Sequence, residues 1–438
     1  MANKSGLGSF VQEEHEVGTI ALDLFSMPPI EATQVAGREH TIYMTTPLTD
    51  DGPYEFIMNN ESTDFIQLDQ HYLYGEVQIV EKAKPENMLK ATDKTASIIN
   101  NLPQTLFKQV ELYLNGVCVS DLSTPTYAYK AYLENHLSYE KDMKDFTLLP
   151  RELYLADTAG KEGPTVDDYI TTNAEAGIGK RAAYATKTIY FFMKLHVDFL
   201  GSMRYLIPGV EIKVRLIRNS DTFSIISKDD KYKVHFKKLE LNVRRIVTQP
   251  AIYEAVEKRL AIEPAKYPIA MSKVKTYLIN KGITTAHIPQ IIRGKLPRSF
   301  VFGFVKAEAY DGAVSQNGFV FNNHDITSLQ VYLNGEPLHA NAIRPVWDDN
   351  GCVQEYVRFL NNIGLHQSHT NGISIEDYKS NTCLFAYDLS PDLCNSFYKH
   401  DAESGELTIH VSFKTALADN TYCLLYATYD ELVAIDKN

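Results

Sequence analysis

The chain reads as a mainly β protein built from two tandem jelly-roll β-barrels, a double jelly roll, with a short linking helix between them. Three observations carry this. Most segments alternate apolar and polar residues over five to eight positions and then break at Gly, Pro, Asn or Asp, as half-buried antiparallel strands do. A strand-and-turn phrase occurs twice, as "VELYLNGVCV" at 110–119 and "LQVYLNGEPL" at 329–338. The 438 residues exceed the roughly 250–300 beyond which a single core stops growing, so two cores are expected.

The elements follow in order. Residues 1–50 read as an N-terminal arm, with an apolar and Pro-rich stretch, "LDLFSMPPI". The first jelly roll is assigned to 51–248. Its strands include "DFIQLDQHYLYGEVQIVE" (64–81), "FKQVELYLNGVCVSDL" (107–122), "GVEIKVRLIRN" (209–219) and "YKVHFKKLELNVRRIV" (232–247). The stretch from Asp157 to Thr188 lacks apolar periodicity and reads as a long surface loop with room for a short helix. The linker, 249–264, contains one clear helix, "PAIYEAVEKRLA" (250–261). Pro250 suits a first turn, and Ile252, Val256 and Leu260 recur every four residues on one face. The second jelly roll, 265–438, continues with "RSFVFGFVKAEA", "SLQVYLNGEPL", "GELTIHVSFKTAL" and "TYCLLYATYDELVAI".

A four-letter identity such as YLNG can arise by chance in a chain of this length, so the repeat needs further support. Upstream of each copy lies an aromatic-x-aromatic-Gly-x-Val strand, Tyr72 to Val77 in one half and Phe300 to Val305 in the other. Downstream, each half ends in two long strands. Setting Ile212 to Leu216 against Ile409 to Phe413 gives an offset of 197 (409 minus 212). A competing register, "LHVDF" (195–199) against "IHVSF" (409–413), leaves two first-half strands unmatched. Because alternating strands bury one face only, two sheets must close over each other within each half.

Composition excludes several classes. A net charge of −12 argues against a chain whose main work is gripping phosphate backbone, and no sequence-specific nucleic-acid partner is expected. Five cysteines, Cys118, Cys352, Cys383, Cys394 and Cys423, form no CxxC and read as reduced core thiols of an intracellularly made chain. No apolar run approaches a membrane span, and the acidic start does not resemble a signal peptide. The sequons at Asn3 and Asn60 therefore read as idle.

Candidate reactive groups fail on spacing. "GIGKRA" (177–182) echoes a phosphate loop, but Ala174 replaces its first Gly and Arg181 the magnesium-binding Ser or Thr. His366 and His369, in "LHQSHTNG", lack the HxH spacing of a metal-binding jelly roll. Glu14, His15 and Glu16 lack the second His of a zinc-protease helix. Asp167 and Asp168 are adjacent in a loop and define no acid–base geometry. Lys237, Lys238, Arg244 and Arg245 beside Glu240 read as a solvated sheet face. Tyr72, Tyr74, Phe300, Phe302 and Phe304 read as core rather than a stacking platform. No catalytic, cofactor-binding or metal-ligating residue is assigned, no cofactor is expected, and the chain reads as a non-enzyme.

Longer blocks carry a resemblance. "ALDLFSMPPIEATQVAGREHTIYMTTPL" (21–48), "GPYEFIMNNESTDFIQLDQHYLYGEVQIVE" (52–81), "VRRIVTQPAIYEAVEKRLAIEPAKYPI" (243–269) and "GKLPRSFVFGFVKAEAYDGAVSQNGFVFNNHDITSLQVYLNGEPL" (294–338) resemble the major capsid proteins of Polintons, also called Mavericks or adintoviruses. The ending, from "CLFAYDLSPDL" to "YDELVAIDKN", is similar too, so the resemblance spans nearly the whole chain. It implies the double jelly-roll lineage that includes adenovirus hexon and virophage capsid proteins, with no catalytic residues to carry over. It further implies a structural protein of an icosahedral double-stranded DNA virus or virus-like mobile element, forming pseudo-hexagonal homotrimeric capsomers. The implied partners are further copies of itself, neighbouring capsomers, and penton and other minor capsid proteins. The implied location is the virion capsid, made and assembled inside the host cell. The rival readings are a double jelly-roll carbohydrate-binding protein or glycan amidase, and a cellular β-sandwich scaffold.

Overall fold

The structure is a computed structural model describing residues 31–60, 62–90, 95–121, 125–158, 176–348, 351–363, 371–391 and 403–436. In the first half the strands are β1 (Gln34–Ile42), β2 (Tyr54–Met58), β3 (Phe65–Glu81), β4 (Ala96–Ile98), β5 (Phe107–Leu114), β6 (Val117–Cys118), β7 (Ile189–Met193), β8 (Ile212–Arg218), β9 (Ile225–Ser227) and β10 (Tyr232–Thr248). The second half has β11 (Ala265–Ile279), β12 (Thr285–Lys295), β13 (Ser299–Lys306), β14 (Ile326–Leu333), β15 (Glu336–Pro337), β16 (Leu384–Asp388), β17 (Ser404–Phe413) and β18 (Thr421–Ile435). The helices used below are α1 (Tyr127–Ser138), α2 (Gly177–Ala185), α3 (Pro250–Leu260), α4 (Val353–Asn362) and α5 (Ile375–Ser380).

The first half forms two four-stranded sheets, β1-β10-β3-β7 and β2-β8-β5-β6, and the small pair β4-β9. The second forms β11-β18-β13-β16 and β12-β17-β14-β15. Leaving β4 and β9 aside, the nth strand of one half takes the place of the nth strand of the other in both sheets. Each half is therefore an eight-stranded, antiparallel jelly roll, and the chain holds two of them. Within each half the sheets stack as a sandwich, so "barrel" describes the enclosed core rather than a continuous hydrogen-bonded ring.

Alternation sets the faces. In β8, Ile212, Val214 and Leu216 point inward, and in β17 so do Leu407, Ile409, Val411 and Phe413. The first core gathers Phe56, Leu73, Val77, Leu112, Val214 and Leu241; the second gathers Phe300, Phe302, Leu329, Val331, Ile409 and Leu425. Burying such a side chain fully contributes about 1.5–3 kcal/mol. A third apolar cluster, with Tyr132, Val301, Phe319, Phe359 and Leu424, spans residues of both halves.

The repeated YLNG has a physical cause. Asn115 and Gly116 have φ of 47° and 79°, and Asn334 and Gly335 have 52° and 83°. Positive φ at both central residues suits the tight hairpins β5-β6 and β14-β15 and selects Asn-Gly. Each Asn does more than turn the chain. Asn115 N–H donates to Glu211 O at 3.0 Å and its Oδ1 accepts Glu211 N–H at 2.8 Å; Asn334 makes the same pair with Glu406, at 2.9 and 2.9 Å.

These bonds make Glu211 and Glu406 equivalent and correct the expected offset from 197 to 195 (406 minus 211). The strands matched were the right ones, β8 and β17, but Ile212 corresponds to Leu407. "LHVDF" lies in no strand; Asp198–Gly201 is a turn of 3₁₀ helix. Gly75 and Gly303 are equivalent as well. A β-carbon on Gly75 would sit 2.1 Å from the Phe191 ring, and one on Gly303 would sit 2.7 Å from Leu384. Phe191 and Leu384 are their register partners on β7 and β16.

One further stretch differs from expectation, and another matches it. Part of the stretch read as an arm, Gln34–Ile42, is β1, an edge strand paired with β10. The stretch read as a long loop with room for a short helix contains such a helix, α2, while 159–175 lies outside the described residues. Helix α3 stays on the surface, with Val256 and Leu260 half-buried against the first core.

Candidate functional site: the junction between the jelly rolls

Among the described residues, the sequence-flagged ones do not converge. Glu14, His15, Glu16, Asp167, Asp168, His366 and His369 lie outside the described residues, as do Asn3 and Cys394. In "GIGKRA", Gly177 opens α2 and packs against Ala156 O, which a β-carbon would approach to 2.1 Å. Arg181 is fully buried, donating from Nε to Ile98 O (2.8 Å), from Nη1 to Leu155 O (2.6 Å) and from Nη2 to Asp157 Oδ1 (2.5 Å). Its guanidinium ties α2 to the body of the first half.

On β10, a bulge at Phe236/Lys238 turns Lys237 and Lys238 both outward. Lys238 pairs with Glu240 at 3.0 Å and lies over the Tyr74 ring. Phe300, Phe302 and Phe304 are core residues, whereas Tyr72 and Tyr74 are half-exposed, which corrects the core reading for those two. Inward positions of β3 are His71, Leu73, Gly75 and Val77, leaving the tyrosines on the outer face with Glu76 and Gln78. Tyr72 stacks on Phe192 at 4.5 Å. Among the described cysteines, Cys118, Cys352, Cys383 and Cys423 are free thiols. Asn60 is buried and donates to Asp64 O, so its sequon is inaccessible.

What the fold does bring together is a largely buried polar chain between the two jelly rolls, part of which lines an open cleft. Helix α1 supplies Lys130 and Glu134; the segment after β7 supplies His196 and Asp198; β11 and β18 supply Ser272 and Tyr426. Lys130 Nζ donates to Asp198 Oδ2 at 2.7 Å, and that same oxygen accepts Ser272 N–H at 3.1 Å. Tyr426 OH donates to Ser272 Oγ at 2.8 Å and reaches Glu134 Oε1 at 3.3 Å. His196 Nδ1 meets Glu134 Oε2 at 2.5 Å, and its Nε2 lies 3.9 Å from Glu152 Oε2. Glu152 in turn accepts from Asn135 Nδ2 and Gln104 Nε2. Tyr127 OH donates to Gln104 Oε1 and accepts His196 N–H.

The charges are mutually supported. Burial pushes the His196 imidazolium down, but the two carboxylates outweigh it and raise its pKa to about 9. Glu134 and Glu152 are raised by burial, yet their cationic and hydrogen-bonding partners bring both below the usual carboxylate range. Burial holds Asp198 above it despite Lys130, whose own pKa is raised by Asp198 and Glu134 against burial. Buried charges persist only when paired this fully, and removing one partner leaves the other uncompensated. His196 thus sits as a cation between two carboxylates of the first half, and Glu134 and Asp198 carry the network across to Tyr426 and Ser272.

Further contacts lock the same junction. Tyr129 OH donates to Gly318 O, Tyr132 stacks on Phe319 at 4.0 Å, and Lys144 Nζ donates to both His136 O and Asn371 O at 2.6 Å. A cleft of about 840 Å³ opens beside the network, lined by Asp69, Lys194, Arg204, Arg298 and Asp388 among others. Among the described residues no cluster of three or more His, Cys, Asp or Glu could hold a metal ion.

No protein-family profile matches the chain. It is 23% identical over 423 residues to an uncharacterized protein of Caenorhabditis elegans, covering 94% of this chain and 97% of that protein. Among solved structures it is similar to a chain of the Sputnik virophage (TM-score 0.59, 9% identity, covering 100% of this chain and 94% of that one). It is also similar to a chain of the PBCV-1 virus capsid (0.56, 11%, 94% and 97%) and to the mavirus major capsid protein (0.52, 11%, 98% and 94%). Two like-ordered jelly rolls in one chain, matched nearly end to end, give the protein a double jelly-roll fold similar to that of the mavirus major capsid protein.

Proposed function

We propose that the chain is a major capsid protein, three copies of which form a pseudo-hexagonal capsomer of an icosahedral double-stranded DNA virus or virus-like mobile element. The observation that carries this is the pair of jelly rolls with one strand order, joined by a polar network that crosses between them. Three such chains around a three-fold axis put six similar units in a ring, and closed symmetry bounds the assembly. The junction supplies the rigidity: a tile keeps a hexagonal outline only if the angle within each chain does not drift.

The Polinton/Maverick assignment rests on the sequence blocks quoted above, and a near full-length nematode relative fits a genome-resident element. In this reading the residues ahead of β1 act as an arm toward neighbouring capsomers or minor capsid proteins, and the protein resides in the virion shell after assembly in the host cell. Among the described residues no helix is long and apolar enough to cross a membrane. Sedimentation analysis of the purified protein tests the proposal. A discrete species of three chains supports it; a monomer at all concentrations up to the solubility limit refutes it.

A further inference from the structure

The outer faces of the two β2-β8-β5-type sheets carry different chemistry at equivalent positions. In the first jelly roll, Arg215 on β8 lies between its register partners Glu55 on β2 and Glu111 on β5, with Nε 3.2 Å from Glu55 and Nη1 3.6 Å from Glu111. With the offset of 195, Arg215 corresponds to His410 on β17. Its register partners there are His287 on β12 and Gln330 on β14. A charged ladder in one copy is a histidine pair in the other.

The pair is built on two adjacent antiparallel strands. The ring centroids lie 4.1 Å apart at 64°, with Tyr332 packed against His410 at 4.7 Å. His287 is exposed and His410 half-buried. Burial, then the neighbouring His287, lowers the pKa of His410, which favours the neutral ring with a free lone pair. Neither ring is tied into a hydrogen bond with another described residue.

We propose that His287 and His410 together bind one late first-row divalent transition-metal ion, such as Zn²⁺, Ni²⁺ or Cu²⁺, on the outer sheet face of the second jelly roll. Imidazole nitrogen sits about 2.0–2.1 Å from such an ion, so two rings sharing it at a near-right or tetrahedral angle have centroids about 4.5–5.3 Å apart. The observed 4.1 Å is shorter than this, so binding requires the two rings to swing apart. Imidazole selects these metals over Mg²⁺ and Ca²⁺, which require oxygen ligands. The register neighbour on the third strand is the neutral Gln330, so water completes the shell. With only two protein ligands the site is weaker than a structural zinc site, and its occupancy falls as acid protonates the rings.

The test is calorimetric titration of ZnCl₂ and NiCl₂ into EDTA-treated, dialysed protein at neutral pH and at pH 5. Loss of a protein's outer-shell partner already costs about 10–100-fold in metal affinity, so His287→Gln and His410→Gln should each weaken one saturable site by at least roughly tenfold. Both positions are surface ones, and equal melting temperatures in EDTA establish that the variants fold. Arg215→Gln, in the other jelly roll, should leave binding unchanged. Absence of saturable binding to the wild type, or undiminished binding in either histidine variant, overturns the proposal.

Discussion

Substituting His196→Gln should flatten the pH dependence of stability, because this imidazole is charged in the folded protein over a range where the unfolded chain has already released its proton. The folded pKa is about 9 against an ordinary value of 6.5. A group raised in this way contributes its full stabilisation below pH 6.5 and loses it as pH rises through 9. A shift of this size corresponds to about 3 kcal/mol at 1.36 kcal/mol per unit. His196 is 11% exposed, so solvent screening takes little of that away. For a chain of 438 residues, an unfolding entropy of about 2.1 cal/mol/K per residue converts it into roughly 3–4 °C of melting temperature. The assay is thermal unfolding of wild type and His196→Gln between pH 6 and 9 at one protein concentration. The wild type should lose those degrees across the window and the variant should not. Glu134→Gln, which keeps a hydrogen-bond acceptor but removes the charge at 2.5 Å, should reduce the slope partway. Identical slopes in all three proteins would refute the junction's ionic character.

Other substitutions probe the repeated design. Gly75→Ala and Gly303→Ala should each destabilise by about 1–3 kcal/mol through overpacking against Phe191 and Leu384, read as a lower denaturation midpoint; a neutral result at both would show that the close approach is relaxed in solution. Asn115→Ala and Asn334→Ala should cost similar amounts, about 1–3 kcal/mol each, since both lose left-handed tolerance and a side-chain bond to the neighbouring strand. Unequal effects would count against their equivalence. Arg181→Met should cost about 3–5 kcal/mol by removing the cation beside Asp157 and the donors to two carbonyls, visible as reduced folded yield and melting temperature; retention of wild-type stability would contradict its role as a buried tie.

Alternation made the strands legible, and the YLNG hairpins made the duplication legible, because Asn-Gly at two positive-φ positions is a local requirement written in adjacent residues. The register error of two residues in β8 against β17 has an equally local cause. A strand repeats its faces every two residues, so offsets of 195 and 197 place the same side chains inward and periodicity cannot separate them. The Asn-to-Glu bonds separate them, and those are visible only in three dimensions. Tyr72 and Tyr74 were misread because aromatic size outweighed parity; Glu76 and Gln78 share their face and point outward with them. Likewise β1 was hidden in the expected arm because its burial pattern is mostly exposed, as an edge strand's can be. The junction was not readable at all. Lys130, Glu134, Glu152, His196, Asp198, Ser272 and Tyr426 are scattered over nearly 300 positions, and His287 and His410 are separated by 123 (410 minus 287); only the fold makes neighbours of them.

The central claim is that one chain carries two equivalent jelly rolls so that three chains can approximate six-fold symmetry. Electron cryomicroscopy of the purified assembly tests it most directly. The account predicts a particle of three 49.5 kDa chains with six jelly rolls around a three-fold axis and each junction network buried within one chain. A reconstruction showing a solitary chain, or an assembly whose jelly rolls do not form a six-membered ring, would contradict it.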